Sequence, residues 1–260
     1  MGDTVASRDA LYIAAKAPRP GLAKTRLGRH LGQQAAIGLY RAFLRDLSVR
    51  FASLPQDLGC TLGWYFTPPD AWPELSPLVT TANRAQPPTI LAQGDGDWTT
   101  RQEALFAGAA ARGEGRTVLI ASDSPHLATS TIASAFRQLA DHDLVLGPVT
   151  DGGYYLIGMR GWHDVLRGIP MSTQTVRSEI AARAAQRGLS VGWTAPTFDI
   201  DEVVDLAQLC QLAVTRNDLP ATRAALHELG LLTGKHALDA PFTTESFTTV
   251  SPTAAAELND

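Results

Sequence analysis

Cysteine is nearly absent from these 260 residues, and the two present, Cys60 and Cys210, lie far apart with no Cys-x-x-Cys pair. That excludes a disulfide scaffold and a thiolate-held metal, and leaves each as a small buried hydrophobe within an apolar segment. No apolar run is long enough to cross a bilayer. The opening residues carry Asp3, Arg8 and Asp9 with no apolar stretch after a basic one, so no secretory leader is expected and the expected location is cytoplasmic. Basic residues are also in short supply: 22 Lys plus Arg stand against 26 Asp plus Glu, for a net charge of -4. Without a dense basic cluster there is no surface to neutralise a nucleic-acid backbone, so nucleic acid and membrane are both excluded as expected partners. There is no internal repeat.

The chain does have apolar material, 45% of its residues, enough for one large core. Short apolar runs at 11–15, 60–66, 89–92, 117–121, 144–147, 154–158 and 189–193 read as strands. They alternate with helical periodicity near 101–112, 129–139, 174–187 and 203–214. The clearest helix is the one whose Ala36, Leu39, Tyr40, Phe43, Leu44, Leu47 and Phe51 share a face. Strands joined by crossover helices predict an α/β fold over a mainly parallel sheet. We expect one domain over 1–232. Beyond Leu232 the composition turns to Thr, Ser, Pro and Ala, so 233–260 is expected to be a poorly structured tail.

Open α/β sheets bind ligands at the carboxyl ends of their strands, and four polar clusters follow apolar runs there. The first runs from Lys16 to Arg26, where prolines and a glycine stiffen a loop carrying Lys16, Arg19, Lys24 and Arg26. Ammonium and guanidinium groups suit a polyphosphate, and a solvated basic turn is the plain alternative. The second, Ser122-Asp123-Ser124-Pro125-His126, puts Asp123 at a strand end, where one carboxylate suits Mg²⁺ or Mn²⁺ or simply caps the next helix. His126 has no histidine or cysteine partner at ligand spacing and is left out of the site. The third, Asp151-Gly152-Gly153 before Tyr154, permits close backbone approach to a ligand, or a plain hairpin turn. In the fourth, Asp199 and Asp201 alternate along an extended stretch, so Asp201 either meets Asp123 over a cation or caps the helix that follows.

Taken in order, these segments resemble a nucleotide-diphospho-sugar transferase of the GT-A fold. The similarity is to the bacterial glycosyltransferase family associated with arsenosugar biosynthesis and radical-SAM selenoproteins. It rests on the Lys16 loop with Lys24-Thr25-Arg26-Leu27, on Ser122-Asp123-Ser124-Pro125, and on the run from Gly147-Pro148 through Asp151-Gly152-Gly153-Tyr154-Tyr155-Leu156-Ile157-Gly158. Ile169-Pro170-Met171-Ser172-Thr173 and Asp199-Ile200-Asp201 add to it. The resemblance implies a three-layer α/β/α sandwich and a transferase moving a sugar from a nucleotide-sugar donor to a small-molecule acceptor with Mg²⁺ or Mn²⁺. By the same resemblance Lys16, Lys24, Arg26 and Arg101 would bind the nucleotide's phosphates and Asp123 with Asp201 the metal. Asp123 and Asp151 would be the catalytic residues. Gly152, Gly153, Tyr154, Ser172 and Thr173 would form the substrate pocket, and a homodimer is left open. The family's Gly-Asp-Leu-Gly-Glu-Arg reads here Gly96-Asp97-Trp98-Thr99-Thr100-Arg101, a departure that bears on donor or acceptor choice. Residues 23–27 are also similar to 2-phospholactate guanylyltransferases. The alternatives are therefore a nucleotidyltransferase that takes an NTP and releases pyrophosphate, and a nucleotide-binding protein without turnover.

Overall fold

The computed structural model describes residues 8–79 and 87–232; the tail expected over 233–260 lies outside them. The strands are β1 (Arg8–Lys16), β2 (Cys60–Thr67), β3 (Thr89–Ala92), β4 (Glu114–Ala121), β5 (Leu144–Pro148), β6 (Tyr154–Arg160) and β7 (Val191–Trp193). The helices are α1 (Thr25–Leu31), α2 (Gln33–Arg50), α3 (Leu54–Leu58), α4 (Trp72–Leu75), α5 (Trp98–Ala111), α6 (Thr129–Asp141), α7 (Val176–Gln186), α8 (Val203–Thr215) and α9 (Pro220–Glu228). One seven-stranded sheet runs in the order β3-β2-β1-β4-β6-β5-β7. All pairings are parallel except those of β6, which is antiparallel to both β4 and β5. The fold is the α/β fold over a mainly parallel sheet expected from the alternation of strands and helices, in the three-layer form that the resemblance implies.

Strand β1 shows why both faces are covered. Leu11, Ile13 and Ala15 enter one apolar layer with α2, α6, α8 and α9, while Ala10 and Tyr12 enter the other with α5 and α7. A strand buried on both sides reads as a continuous apolar run, which is how the segment looks in the sequence. The short helices α1, α3 and α4 and the nine-residue α9 were not foreseen, because one or two turns carry too little periodicity to register. Helix α5 starts three residues earlier than its periodicity suggested. The Asp97 carboxylate accepts from the Thr100 N–H at 2.8 Å and so caps it.

Because β6 runs backwards between β4 and β5, its first residues lie at the same rim as the last residues of the parallel strands. That rim carries, in order, Gln93 after β3, Thr67 of β2, Lys16 of β1, Ser122 and Asp123 after β4, and the 149–153 turn between β5 and β6. The two segments with the carboxylates, 122–127 and 197–201, are stitched together. The Ile200 N–H donates to the Asp123 carbonyl at 3.0 Å, and the Ser124 hydroxyl contacts the Phe198 carbonyl at 3.0 Å and Asp199 Oδ1 at 2.6 Å. Behind them Arg50, from the end of α2, donates to the carbonyls of Pro125, Leu127 and Asp218.

His126 is part of this stitching and not of the site. Its ring stacks on Phe198 at 4.2 Å, and Nε2 lies 2.8 Å from Thr197 Oγ1. Burial, with the nearby Arg216 and Arg50 charges, pushes its pKa down to about 4. The unfolded chain, with a histidine pKa of about 6.5, then binds more protons than the folded one between those values. Stability is complete above about pH 6.5 and falls as the pH drops toward 4, by at most about 3 kcal/mol from this group. His126→Gln, which can keep a bond to Thr197 but does not titrate, is expected to flatten that part of the profile. Urea denaturation of both proteins at pH 7.5, 6, 5 and 4 checks it; parallel profiles would remove His126 as the cause.

Candidate functional site

A cavity of about 690 Å³ opens at the rim. Of the expected site residues it is lined by Lys16, Lys24, Arg26, Arg101, Asp123, Asp151, Gly153, Tyr154, Ser172, Thr173 and Asp201, and not by Gly152. Four clusters spread over more than 180 residues thus meet at one opening.

Lys24 is the pivot. It sits in the left-handed region at φ 49° and ψ 40°, just before α1, with its side chain 2% exposed. The ammonium donates to the Ile200 carbonyl at 2.6 Å, lies 3.3 Å from Asp201 Oδ1 and forms an ion pair with Asp123. An ammonium has three donors, and these partners occupy all three. Burial opposes its charge, but Asp123 and Asp201 outweigh that and hold the lysine above its ordinary pKa. Expected from the sequence as a phosphate contact, Lys24 is here an internal counter-ion for the two carboxylates. Phe43 and Tyr40 flank it, with ring centroids at 5.8 and 6.0 Å. The Tyr40 hydroxyl accepts from the Lys16 N–H at 3.0 Å and lies 2.9 Å from Ser122 Oγ, so an apparent core residue of α2 forms part of the floor.

The first loop does not present four cations to the cavity. Arg19 turns away, its Nε donating to Glu74 at 2.7 Å and its Nη2 lying 3.0 Å from Asp70. Arg26 stays exposed, 3.9 Å from Asp201 and 3.8 Å from Glu202. Lys16 faces the opening and is exposed.

Neither carboxylate is spent on capping. Helix α6 begins after Ala128 with no side-chain cap, and α8 is capped by a reciprocal box between Glu202 and Asp205. Asp201 is thereby left to Lys24. Asp199 joins them as a third carboxylate on the cavity wall; burial, then the Asp123 charge, raises its pKa to about 7. Its alternation with Asp201 was visible in the sequence, but its burial was not. As a donor set, Asp123 and Asp201 supply hard oxygens suited to Mg²⁺ or Mn²⁺. Among the described residues no three His, Cys, Asp or Glu side chains are arranged to hold an ion by themselves. The pair fits a cation that shares its remaining positions with water and a ligand's phosphates.

The opposite wall is a hairpin turn, of which Asp151 and Gly153 line the cavity. The Val149 N–H donates to the Gly153 carbonyl at 3.1 Å, and Asp151 Oδ1 accepts from the Gly153 N–H at 2.8 Å. Gly152 has φ +94°, and a Cβ there would stand 2.0 Å from the Gln174 carbonyl oxygen. The turn is packed against the Ser172–Gln174 stretch, where Ser172 itself has φ 62°. Tyr154 points its hydroxyl inward, to Gln102 Oε1 at 2.9 Å and Met171 Sδ at 3.4 Å. At the far end Arg101 Nη1 lies 3.3 Å from Gln93 Oε1 and 3.5 Å from Thr67 Oγ1. Gln93 and Thr67 went unnoticed because single neutral residues at strand ends carry no pattern.

Two outcomes test this geometry. Lys24→Met keeps the stem but leaves two carboxylates without their cation; since those are 38% and 49% exposed, the loss is expected at about 1–3 kcal/mol, read by urea denaturation. No change would contradict the internal ion pair. Gly152→Ala is expected to lower the melting temperature by several degrees through forced displacement of the turn, ~1–3 kcal/mol. An unchanged melting curve would show that the contact with Gln174 is slack.

Comparisons with known proteins agree with the architecture. A family described as an uncharacterized protein conserved in bacteria (DUF2064) matches residues 66–173, less than half of the chain. The chain is similar to a protein from Desulfovibrio desulfuricans G20, provisionally named as a nucleotide-diphospho-sugar transferase. The two share 29% identity over 86% of this chain and 96% of that one, with a TM-score of 0.76. A cytidylyltransferase from Leptospira borgpetersenii serovar Hardjo-bovis (strain JB197) shares the fold at 8% identity, over 86% of this chain and 94% of that one, with a TM-score of 0.50. No curated protein matches the chain.

Proposed function

We propose that this chain is a nucleotide-utilising transferase, and more finely a metal-dependent glycosyltransferase that moves a sugar from a nucleotide-diphosphate donor to a small-molecule acceptor. The observation that carries it is the meeting of Asp123, Asp201 and Lys24 at the rim of a cavity whose nearby cations are Lys16 and Arg26. The similarity to the Desulfovibrio protein supports the nucleotide-sugar donor.

Asp123 and Asp201 would hold a divalent cation together with the donor's diphosphate; when bound, that ion neutralises the charge gathering on the leaving nucleoside diphosphate. Lys16 and Arg26 approach from the first loop and share that load, with charge-assisted bonds of roughly 1.5–3 kcal/mol each. Lys24 keeps the two carboxylates apart by less than their repulsion would set, so the oxygens are aimed before the ligand arrives. Asp151, exposed on the hairpin with one oxygen tied to the Gly153 N–H, has its other oxygen free to take the proton of an acceptor hydroxyl. The Ser172–Thr173 stretch would bound the acceptor.

Nucleotidyl transfer uses the same parts with a different bond broken, and the Lys24-Thr25-Arg26 segment keeps it as the second reading. The product separates them: nucleoside diphosphate for the first, pyrophosphate for the second. A thermal-shift panel of nucleoside triphosphates and nucleotide sugars, with and without Mg²⁺ or Mn²⁺, is expected to show stabilisation that needs the cation. Asp123→Asn, which keeps the side chain's shape, should remove the cation's part of the shift while the fold stays intact. Equal shifts with and without metal in both proteins would refute the metal site. Binding without consumption of any donor across a broad acceptor set would favour a protein that binds nucleotide but does not turn over.

A further inference from the structure

Arg101 is a half-buried cation of the cavity wall that has no ion pair among the described residues. Its Nη1 makes only the two long contacts to Gln93 and Thr67, both neutral, and its Nε is buried without a hydrogen-bond partner among the described residues. No ion pair reaches it among those residues: Glu103, the nearest acid in sequence, lies 3.9 Å from Arg167, and Asp97 has its carboxylate turned to Thr100. The neutral neighbours are themselves fixed. Gln93 is 4% exposed and donates to the Tyr65 carbonyl at 2.9 Å, and the Tyr65 hydroxyl donates to the Arg101 carbonyl at 2.7 Å. A planar group with unspent donors is thus held from two sides at the end of the cavity.

Its place along the rim decides what it can meet. Arg101 touches the ends of β2 and β3, whereas Asp123 follows β4, with β1 between. Two to three strand spacings separate them, roughly 10–14 Å. That is too far for Arg101 to share a diphosphate held by Asp123 and Asp201, and about the span from such a diphosphate to the far edge of its base. Lys16, on β1, lies on the way. Arg101 was expected to bind phosphate; its position removes it from that role.

We infer that Arg101 reads the nucleobase and selects one that offers two adjacent acceptors on one edge, guanine through O6 and N7 or cytosine through O2 and N3. This inference rests on the nucleotide reading of the cavity. The parallel N–H donors of a guanidinium match two neighbouring acceptors in one plane. Adenine sets a donor beside each acceptor on its corresponding edges, and uracil separates its two carbonyls by an N–H. Both leave one arginine donor facing a donor. The orphaned Nε adds to the gain, because a small turn of the guanidinium onto such an edge relieves a buried unpaired group.

The test is calorimetric titration of GDP, CDP, ADP and UDP, each with Mg²⁺, into the wild-type protein, Arg101→Lys and Arg101→Gln. The expected result is that GDP or CDP binds at least about tenfold tighter than ADP and UDP, and that both variants bring the four within about threefold by weakening the favoured base alone. Arg101→Lys keeps the charge and loses the planar pair of donors, so a preference that survives it overturns the inference. Equal weakening of all four nucleotides overturns it as well and returns Arg101 to the phosphates. A wild-type preference for adenine or uracil does so without any variant, which covers the case of variants that fail to fold. If none of the four binds the wild-type protein, the nucleotide reading itself falls, and this inference with it.

Discussion

The buried ammonium of Lys24 joins the two ends of the sequence that meet at the cavity. It reaches Asp123 at the end of β4 and both Asp201 and the Ile200 carbonyl in the stretch before α8, and it does so from a backbone conformation that lysine rarely adopts. Without it, Asp123, Asp199 and Asp201 would be three carboxylates gathered at one rim with only the exposed Arg26, 3.9 Å from Asp201, to balance them. Even with it, burial first and then the Asp123 charge raise the pKa of Asp199. The links from Ser124 to Asp199 and from Ile200 to the Asp123 carbonyl depend on the same compensation, because they bring the two acidic segments into contact.

This places charge unevenly along the rim. Acids gather after β4 and around the β5–β6 turn, and the cation among them is already spent. Lys16 and Arg101, by contrast, stand toward β1, β2 and β3 without an ion-pair partner among the described residues. A ligand complementary to such a cavity is extended, with a cation or an acidic proton at one end and acceptor groups at the other. The geometry favours a nucleotide over a compact anion for this reason, since a small phosphate could satisfy only one end. Arg19 illustrates the same economy in reverse: with Asp70 and Glu74 at hand it leaves the cavity, which keeps the loop anchored and the opening from becoming indiscriminately basic.

The far wall is held by contact and not by charge. Gly152 permits the turn to press on the Gln174 backbone, and Arg177 donates to the Val149 carbonyl at 2.9 Å, so α7 grips the hairpin from behind. Asp151 and Tyr154 are therefore presented from a braced turn, and Ser172 accepts a left-handed conformation beside it. Strain of this sort persists only where the surroundings over-determine it, and here it faces the cavity.

How much of this could be seen in the residues alone follows from the range of each interaction. Strand runs such as 89–92 and the face of α2 were legible because burial on a sheet or a helix repeats with a fixed period, and the rim clusters were legible because ligand sites follow strand ends. The partner of each charge was not. Lys16, Arg19, Lys24 and Arg26 look alike in a list of cations, yet one faces the opening, one turns outward to Asp70 and Glu74, one is buried between carboxylates and one stays on the surface. Which does which depends on residues 51 to 177 positions away, and on Lys24 taking a positive φ that no local pattern announces. Arg101 shows the same limit: an arginine at the start of a helix is ordinary, and only its lack of an ion-pair partner among the described residues, together with its distance from Asp123, sets it apart.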